Sequence, residues 1–455
     1  MCSEKFKPLF FIVFLLFLPA ICSADDKIVL DLKGCIDRVM KFHPELGEYK
    51  KDIEIYKAKL EQAEGGAFPQ IEIMALAGPS PKAEKEAISP EIKTNEKSTT
   101  INGVFGMLTM QVLQPIYTFG KISSYKKAAL GVIKVSEAEL EKKRSELIVK
   151  TKELYWSLAL VRDLRVLANE IKNDLEKAIK RTEEDLKKDI PSAEELTLYK
   201  LRTYLGEVNR NLNEIDKNEK IIVEALKFMT GLTSFQNLDI ITPSLKYEEL
   251  SFAKDDLIAN AFKHRPEMIQ INEGLKARQA LIDVEKSNLY PQIFALIKGN
   301  FSGATNRDRI HNPYISDPLN TSYVAAVLGM KLNIDFGITK GKIREAELEY
   351  EKILEKKKLA EQGIPLQIMK AYLEYLEASK SAKDMEEAFQ NAKKWLVTVD
   401  ANIDMGIGDT KDLADAVLAY ATTRINHLKS LYNQKMAIAN LMNASGLDKS
   451  ERGTK

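Results

Sequence analysis

The chain has 455 residues, with 67 Lys and Arg against 66 Asp and Glu. A charge this close to neutral offers no basic face for a polyanionic nucleic-acid backbone. Hydrophobic residues make up 45%, an ordinary soluble fraction, so any membrane-embedded part is a minority of the chain. The length allows two or three common domains or one large duplicated unit.

The first residues read as an export signal. Lys5 and Lys7 precede an apolar run from Leu9 to Leu18, and small residues follow Pro19 up to Ala24. A run of about ten cannot cross roughly 30 Å of hydrocarbon as a helix. The pattern predicts a signal peptide over residues 1–24, cleaved after Ala24; a lipid anchor on Cys22 is the alternative. Cys2 and Cys22 lie in this leader, which leaves Cys35 alone and no intrachain disulfide. No later segment holds 18 consecutive apolar residues, so a membrane crossing would have to use strands.

Beyond the leader the chain is written twice. His43-Pro44-Glu45-Leu46 returns as Arg265-Pro266-Glu267-Met268, and Phe68-Pro69-Gln70-Ile71 as Tyr290-Pro291-Gln292-Ile293, both at an offset of 222. Phe119-Gly120 matches Phe336-Gly337 at 217, as do Tyr155 with Tyr372 and Leu196 with Leu413; Gly231-Leu232 matches Gly446-Leu447 at 215. The first repeat is expected to span residues 25–248, the second 249–447, with a polar tail over 448–455.

Each repeat has the same order of elements. A short helix (Leu30–Phe42; Asp255–His264) stops before a proline, which suits the first turn of the next helix because its missing N–H would be unpaired there. That helix (Glu45–Gly66; Glu267–Leu289) ends before another proline opens a strand. Two strands follow, about Gln70–Gly78 and Asn102–Ile116 in the first repeat, Gln292–Ser302 and Ser322–Phe336 in the second. A very long helix comes next, Lys121–Lys188 and 338–405, then a final helix, Ser192–Thr230 and 409–445. At 1.5 Å per residue the long helix is about 100 Å, close to the second and last helices laid end to end. Leu147, Leu154, Val161, Ala168 and Leu175 keep a seven-residue step, a seam for neighbouring helices. The second long helix is expected to bend near Gly363–Pro365, because proline removes a backbone hydrogen bond and clashes with the carbonyl four residues back.

In the strand regions the period changes to two. Val324, Ala326, Leu328, Met330, Leu332, Ile334 and Phe336 share one face; Lys331, Asn333 and Asp335 lie on the other. That alternation suits a strand with lipid on one side and a lumen on the other, which makes Val324, Ala326, Leu328, Met330, Leu332 and Ile334 candidate lipid-facing residues. A half-buried soluble hairpin has the same period; the long polar loops Pro79–Thr100 and Ser302–Thr321 favour the membrane reading. Four strands cannot close a barrel in lipid, where every backbone group needs a partner. Two copies would give eight strands and three would give twelve.

In order, spacing and duplication these motifs, with Gln114-Pro115-Ile116-Tyr117-Thr118-Phe119-Gly120 and the pattern after Gly406, resemble the TolC-like outer-membrane efflux proteins over essentially the whole mature length. The resemblance implies a mostly α fold with a β part: a homotrimer whose 12-stranded outer-membrane barrel continues into a periplasmic α-helical barrel. It also implies a periplasmic adaptor and an inner-membrane pump as partners, contact with outer-membrane lipid, and no nucleic acid. The function so implied is the exit duct of a tripartite efflux or type I secretion system, carrying small molecules or polypeptides. A periplasmic helical scaffold without a barrel is the alternative. Asp412 and Asp415, three residues apart on one helix face after the turn Asp404–Asp409, match the acidic pair that rings the constricted tip in this family. Ile403 and Gly408 stand where some members carry a latching tyrosine and arginine.

No chemistry is expected. His43, His264, His311 and His427 are scattered, and no Cys or His pair has metal-ligand spacing. Gly337-Ile338-Thr339-Lys340-Gly341-Lys342 is one residue short of a phosphate loop between its glycines, and Ile343 replaces the required Ser or Thr. His264 beside Glu267 reads as structural. The residues thus point to no enzyme, cofactor or metal.

Overall fold

The computed structural model describes residues 28–81, 101–188, 195–233, 236–241, 244–251, 253–307, 317–405 and 410–450. The expected leader, the end of the polar tail and the reversing turn with Gly406 and Gly408 lie outside the described residues. In chain order the elements are β1 (Ile28–Leu30), α1 (Leu32–Phe42), α2 (Pro44–Gly65), β2 (Gln70–Pro81), β3 (Ile101–Tyr117), α3 (Lys121–Lys187), α4 (Glu195–Thr230) and β4 (Leu238–Ile240). They continue with α5 (Lys254–His264), α6 (Pro266–Ser287), β5 (Gln292–Ala304), β6 (Ser322–Lys331), α7 (Ile338–Asp404) and α8 (Thr410–Ser445). A short 3-10 turn, Leu447–Ser450, closes the series.

The duplication is visible in helix lengths. The four helices of each half have 11, 22, 67 and 36 residues, in the same order. Their start points correct one pairing: α4 and α8 begin 215 residues apart, so Leu196 does not correspond to Leu413, and the shift of two residues falls in the turn before each last helix. Both halves stop their last helix at a glycine with positive φ, Gly231 (67°) and Gly446 (70°). The left-handed conformation costs a glycine little, which is why it ends helices.

The chain forms two compact units. The first gathers Met1–His43, Lys150–Tyr247 and Ser381–Lys435. Its core packs Cys35, Tyr155, Leu158, Leu226, Leu238 and Ile240, with a second cluster of Ala159, Leu245, Ala382 and Leu431. Burial, and secondarily Asp31, pushes the Cys35 thiol up to about 12, so it stays a protonated core residue rather than a reactive one. β1 and β4 pair in parallel, a small sheet that the sequence pattern did not predict. Arg162 binds Glu219 and Asp239 while Arg165 binds Glu219 and Asp216, tying α3 to α4 and β4.

The second unit gathers Pro44–Val149, Glu248–Lys380 and Met436–Lys455. Leu257, Ala261, Met268, Ile368, Tyr375 and Leu441 form its helical core. Pro365 lies inside α7, which runs through it as one helix. The buried side chains of Ile364 and Ile368 flank the proline and hold the helix to the core on both sides, so losing one backbone hydrogen bond does not end it. Glu267 pairs with Arg265 rather than His264. Burial raises its carboxyl, yet the Arg265 charge and hydrogen bonds prevail and hold it below the usual range.

Candidate functional site

Four strands of the second unit form one antiparallel sheet in the order β2-β3-β5-β6. The register assigns every side chain to a face, since directly paired residues share one. On one face stand Ile71, Ile73, Ala75 and Ala77 of β2, and Gly106, Leu108, Met110 and Val112 of β3. β5 adds Ile293, Ala295, Ile297 and Phe301, and β6 adds Val324, Ala326, Leu328 and Met330. No charged residue interrupts these rows. The opposite face is mixed: Glu72, Gln111 and Lys298 form one row across three strands, and Thr109 donates to Asn300 at 3.1 Å in the next. On this mixed face Gly329 lies beneath the ring of Phe294, where any Cβ would come within 2.6 Å of an aromatic carbon.

Among the described residues nothing covers the apolar face. Val324, Leu328 and Met330 are each about two-thirds or more exposed (67%, 73% and 68%). Among the described residues the sheet is equally open at its sides, because β2 and β6 each pair along one edge only. The sequence-predicted set needs one correction: β6 stops at Lys331, so Leu332, Ile334 and Phe336 follow the strand instead of belonging to it. Lys331 pairs with Gln292, the first residue of β5; Pro291 precedes it and has no N–H to offer. The chain then turns at Asp335, whose carboxylate accepts from the N–H groups of Gly337 and Thr339 and from the Thr339 hydroxyl. Those bonds hold the Asp335 carboxyl below its usual range, the Thr339 hydroxyl foremost. Gly337–Lys342 is therefore the capped start of α7 rather than a phosphate cradle.

Aromatic rings gather where strands meet helices. Phe119 packs edge-on to Tyr117 at 4.7 Å and stacks on Tyr290 at 5.1 Å, the kind of belt that marks a membrane–water boundary. At the other end of the sheet Arg307 and Asp317 form a nearly buried bidentate pair. Arg307 also donates to the Pro81 carbonyl at 2.9 Å, so the β5–β6 connection is tied to the end of β2. Nothing in the linear sequence signalled that pair, because its meaning depends on a partner ten residues away across a loop. Asp412 lies in the first turn of α8 and Asp415 one turn on, both exposed.

A family model described as "Outer membrane efflux protein" matches residues 257–447, which run from α5 to the end of α8 and include β5 and β6. It is the second half of the chain that matches this family. The first half carries the same four helix lengths and its own strand pair in the same sheet.

Solved structures similar to this chain include a membrane protein from Pseudomonas aeruginosa (15% identity, TM-score 0.75, covering 93% of this chain and 92% of that one). The Campylobacter jejuni CmeC outer membrane channel is similar at 16% identity and TM-score 0.75, over 92% of this chain and 89% of that one. The Neisseria gonorrhoeae MtrE outer membrane channel, in its open state, gives 16% and 0.71, over 91% and 88%. At these identities the likeness is one of fold. No curated protein matches the chain by sequence. Among the described residues no helix is long and apolar enough to cross a membrane. No group of three or more His, Cys, Asp or Glu stands ready to hold a metal among those residues.

Proposed function

We propose that the chain is an outer-membrane exit duct. The observation that carries this reading is the four-stranded sheet with one uncharged, mainly apolar face, polar only at its ends (Gln114, Ser322), and two edges unpaired among the described residues. In lipid each free N–H and C=O would cost several kcal/mol, so the sheet is complete only when β6 of one copy pairs with β2 of the next. β2 and β6 run in opposite directions, so that junction continues the antiparallel ladder. Two copies would close eight strands and three twelve; the family likeness favours the homotrimer with a 12-stranded barrel. The mixed face, with Glu72, Lys298 and Asn300, then lines the lumen.

In this reading the long helices continue the barrel as a periplasmic helical tunnel. Asp412 and Asp415 ring its constricted tip. A periplasmic adaptor and an inner-membrane pump supply the driving force, and cargo is a small molecule or a polypeptide passed through a tripartite efflux or type I secretion assembly. The test is fractionation of cells expressing the full chain, followed by electrophoresis without heating and conductance in planar bilayers. Outer-membrane oligomers that dissociate on heating and conduct support the duct. Soluble periplasmic monomers would overturn it in favour of a helical scaffold.

A further inference from the structure

The two halves differ in the side chains that hold their helical hairpins together in the first unit. α3 and α4 are locked by Arg162, Arg165, Asp216 and Glu219. At the offsets fixed by the helix starts, α7 and α8 carry Ser379, Ala382, Leu431 and Gln434 in those places. A second kind of polar tie lies further along this hairpin. His427 of α8, nearly buried, stacks on Phe389 of α7 at 5.7 Å. Its Nε2 is 2.7 Å from Glu386 of α7, and its Nδ1 is 3.5 Å from an Arg424 nitrogen. Arg424 itself lies 4.5 Å over the Phe389 ring.

Donors and acceptors in this chain fit only one protonation state. A guanidinium has donors and no lone pair, so Nδ1 beside Arg424 must be the acceptor and Nε2–H the donor to Glu386. That is neutral histidine. A second proton must go on Nδ1, where it would point at a group that cannot accept it and that carries like charge. The other ionisable groups nearby do not relieve the conflict. Asp163 of α3 faces Arg424, and burial holds its carboxyl above the usual range. Lys383 of α7 sits over the Tyr247 ring. Glu387 and Lys246 line the adjoining groove, of about 540 Å³. Tyr420, raised by burial, faces Glu170 and Asp174.

We propose that Glu386, His427 and Arg424 form an acid-released clasp: it fastens α8 to α7 at neutral pH and lets go when His427 takes up a proton. Burial first, and then Arg424, depresses the His427 pKa below its ordinary 6.5, against the pull of Glu386. A depressed value means the open state binds the proton first. The clasp's contribution is therefore complete above pH 6.5 and is lost as pH falls from there through the lower value of the closed state. The first half has no counterpart, since Asn169, Lys172, Asn209 and Leu212 occupy the matching positions.

The experiment is hydrogen exchange on the full-length protein between pH 7.5 and 5.0, corrected for intrinsic exchange, reading peptides over 383–390 and 420–431. Opening governed by one proton accelerates by at most about tenfold per pH unit. The expected result is acceleration of about threefold to tenfold per unit below pH 6.5 in those peptides, and none in α4 over 209–219. His427→Gln, whose amide still donates to Glu386, should abolish the pH dependence. Arg424→Gln, which removes the opposing cation, should reduce it. Circular dichroism checks folding, and if His427→Gln does not fold, Arg424→Gln decides. A flat wild-type profile, or a full acid response in the folded variants, would overturn the clasp. The readout requires neither membrane nor transport, so it stands apart from the test of the duct.

Discussion

Ala325 and Ala326 are neighbours on β6, identical in size, and the register sends them to opposite faces: Ala326 pairs with Ile297 and Ala325 with Lys298. Both lie near the middle of the strand. A charged side chain on the lipid face of a membrane barrel costs about 2–4 kcal/mol at the midplane, and far less in the lumen. Ala326→Arg should therefore lower the folded, inserted population by roughly 30- to 1,000-fold at equilibrium, taking about 1.4 kcal/mol per factor of ten. Ala325→Arg meets Lys298 across the strand, a like-charge penalty of up to about 1 kcal/mol. That penalty works against the predicted difference, which should survive it. The assay is urea-dependent folding into lipid vesicles, followed by resistance of the oligomer to unheated electrophoresis. Equal tolerance of the two substitutions, or greater damage from Ala325→Arg, would refute the assignment of the apolar face to lipid.

Three further outcomes are expected. Deleting Ser322–Phe336 removes β6, leaves β5 as a new free edge, and should abolish outer-membrane insertion; a deletion variant that inserts and conducts would rule out the barrel. Replacing both Asp412 and Asp415 by Ala should weaken block of single-channel current by divalent or trivalent cations, because the proposed trimer would lose six carboxylates at its proposed tip. Unchanged block would leave these residues only their favourable interaction with a helix N-terminus, worth about 0.3–1 kcal/mol. Pro365→Ala restores a backbone N–H inside α7 and should raise resistance to denaturant by about 1–3 kcal/mol, bounded by the helix-interior cost of proline; a loss of stability would show that the proline's shape is needed there.

The elements legible in the sequence are those that carry their own punctuation. Pro44, Pro266, Gly231 and Gly446 stand at helix starts and stops for local steric reasons, so those boundaries fall within a residue or two of expectation. The alternation in Ser322–Lys331 is equally local. Its last five expected residues were misassigned because a strand ends where its partner ends, and β5 begins only at Gln292. β1 and β4 escaped for the same reason: three residues each, paired across some 200 positions, have no period to read. The site was legible as a face but not as a register, so Lys298 and Glu72 could not be placed on a common row from either strand alone. Arg162, His427 and Arg307 acquire roles only through residues brought to them by folding.

The two open edges have a genetic consequence. A strand that is finished only by its neighbour's copy makes each chain responsible for a junction it does not own. A lesion on β2 or β6 that prevents pairing would spoil every ring it enters, however sound the other copies are. In a cell making equal amounts of intact and edge-defective chains, random assembly of the proposed trimer would leave about one ring in eight free of the defect. Edge mutations should therefore behave as dominant, whereas losses in the helical core, which prevent a chain from folding and joining at all, should be recessive.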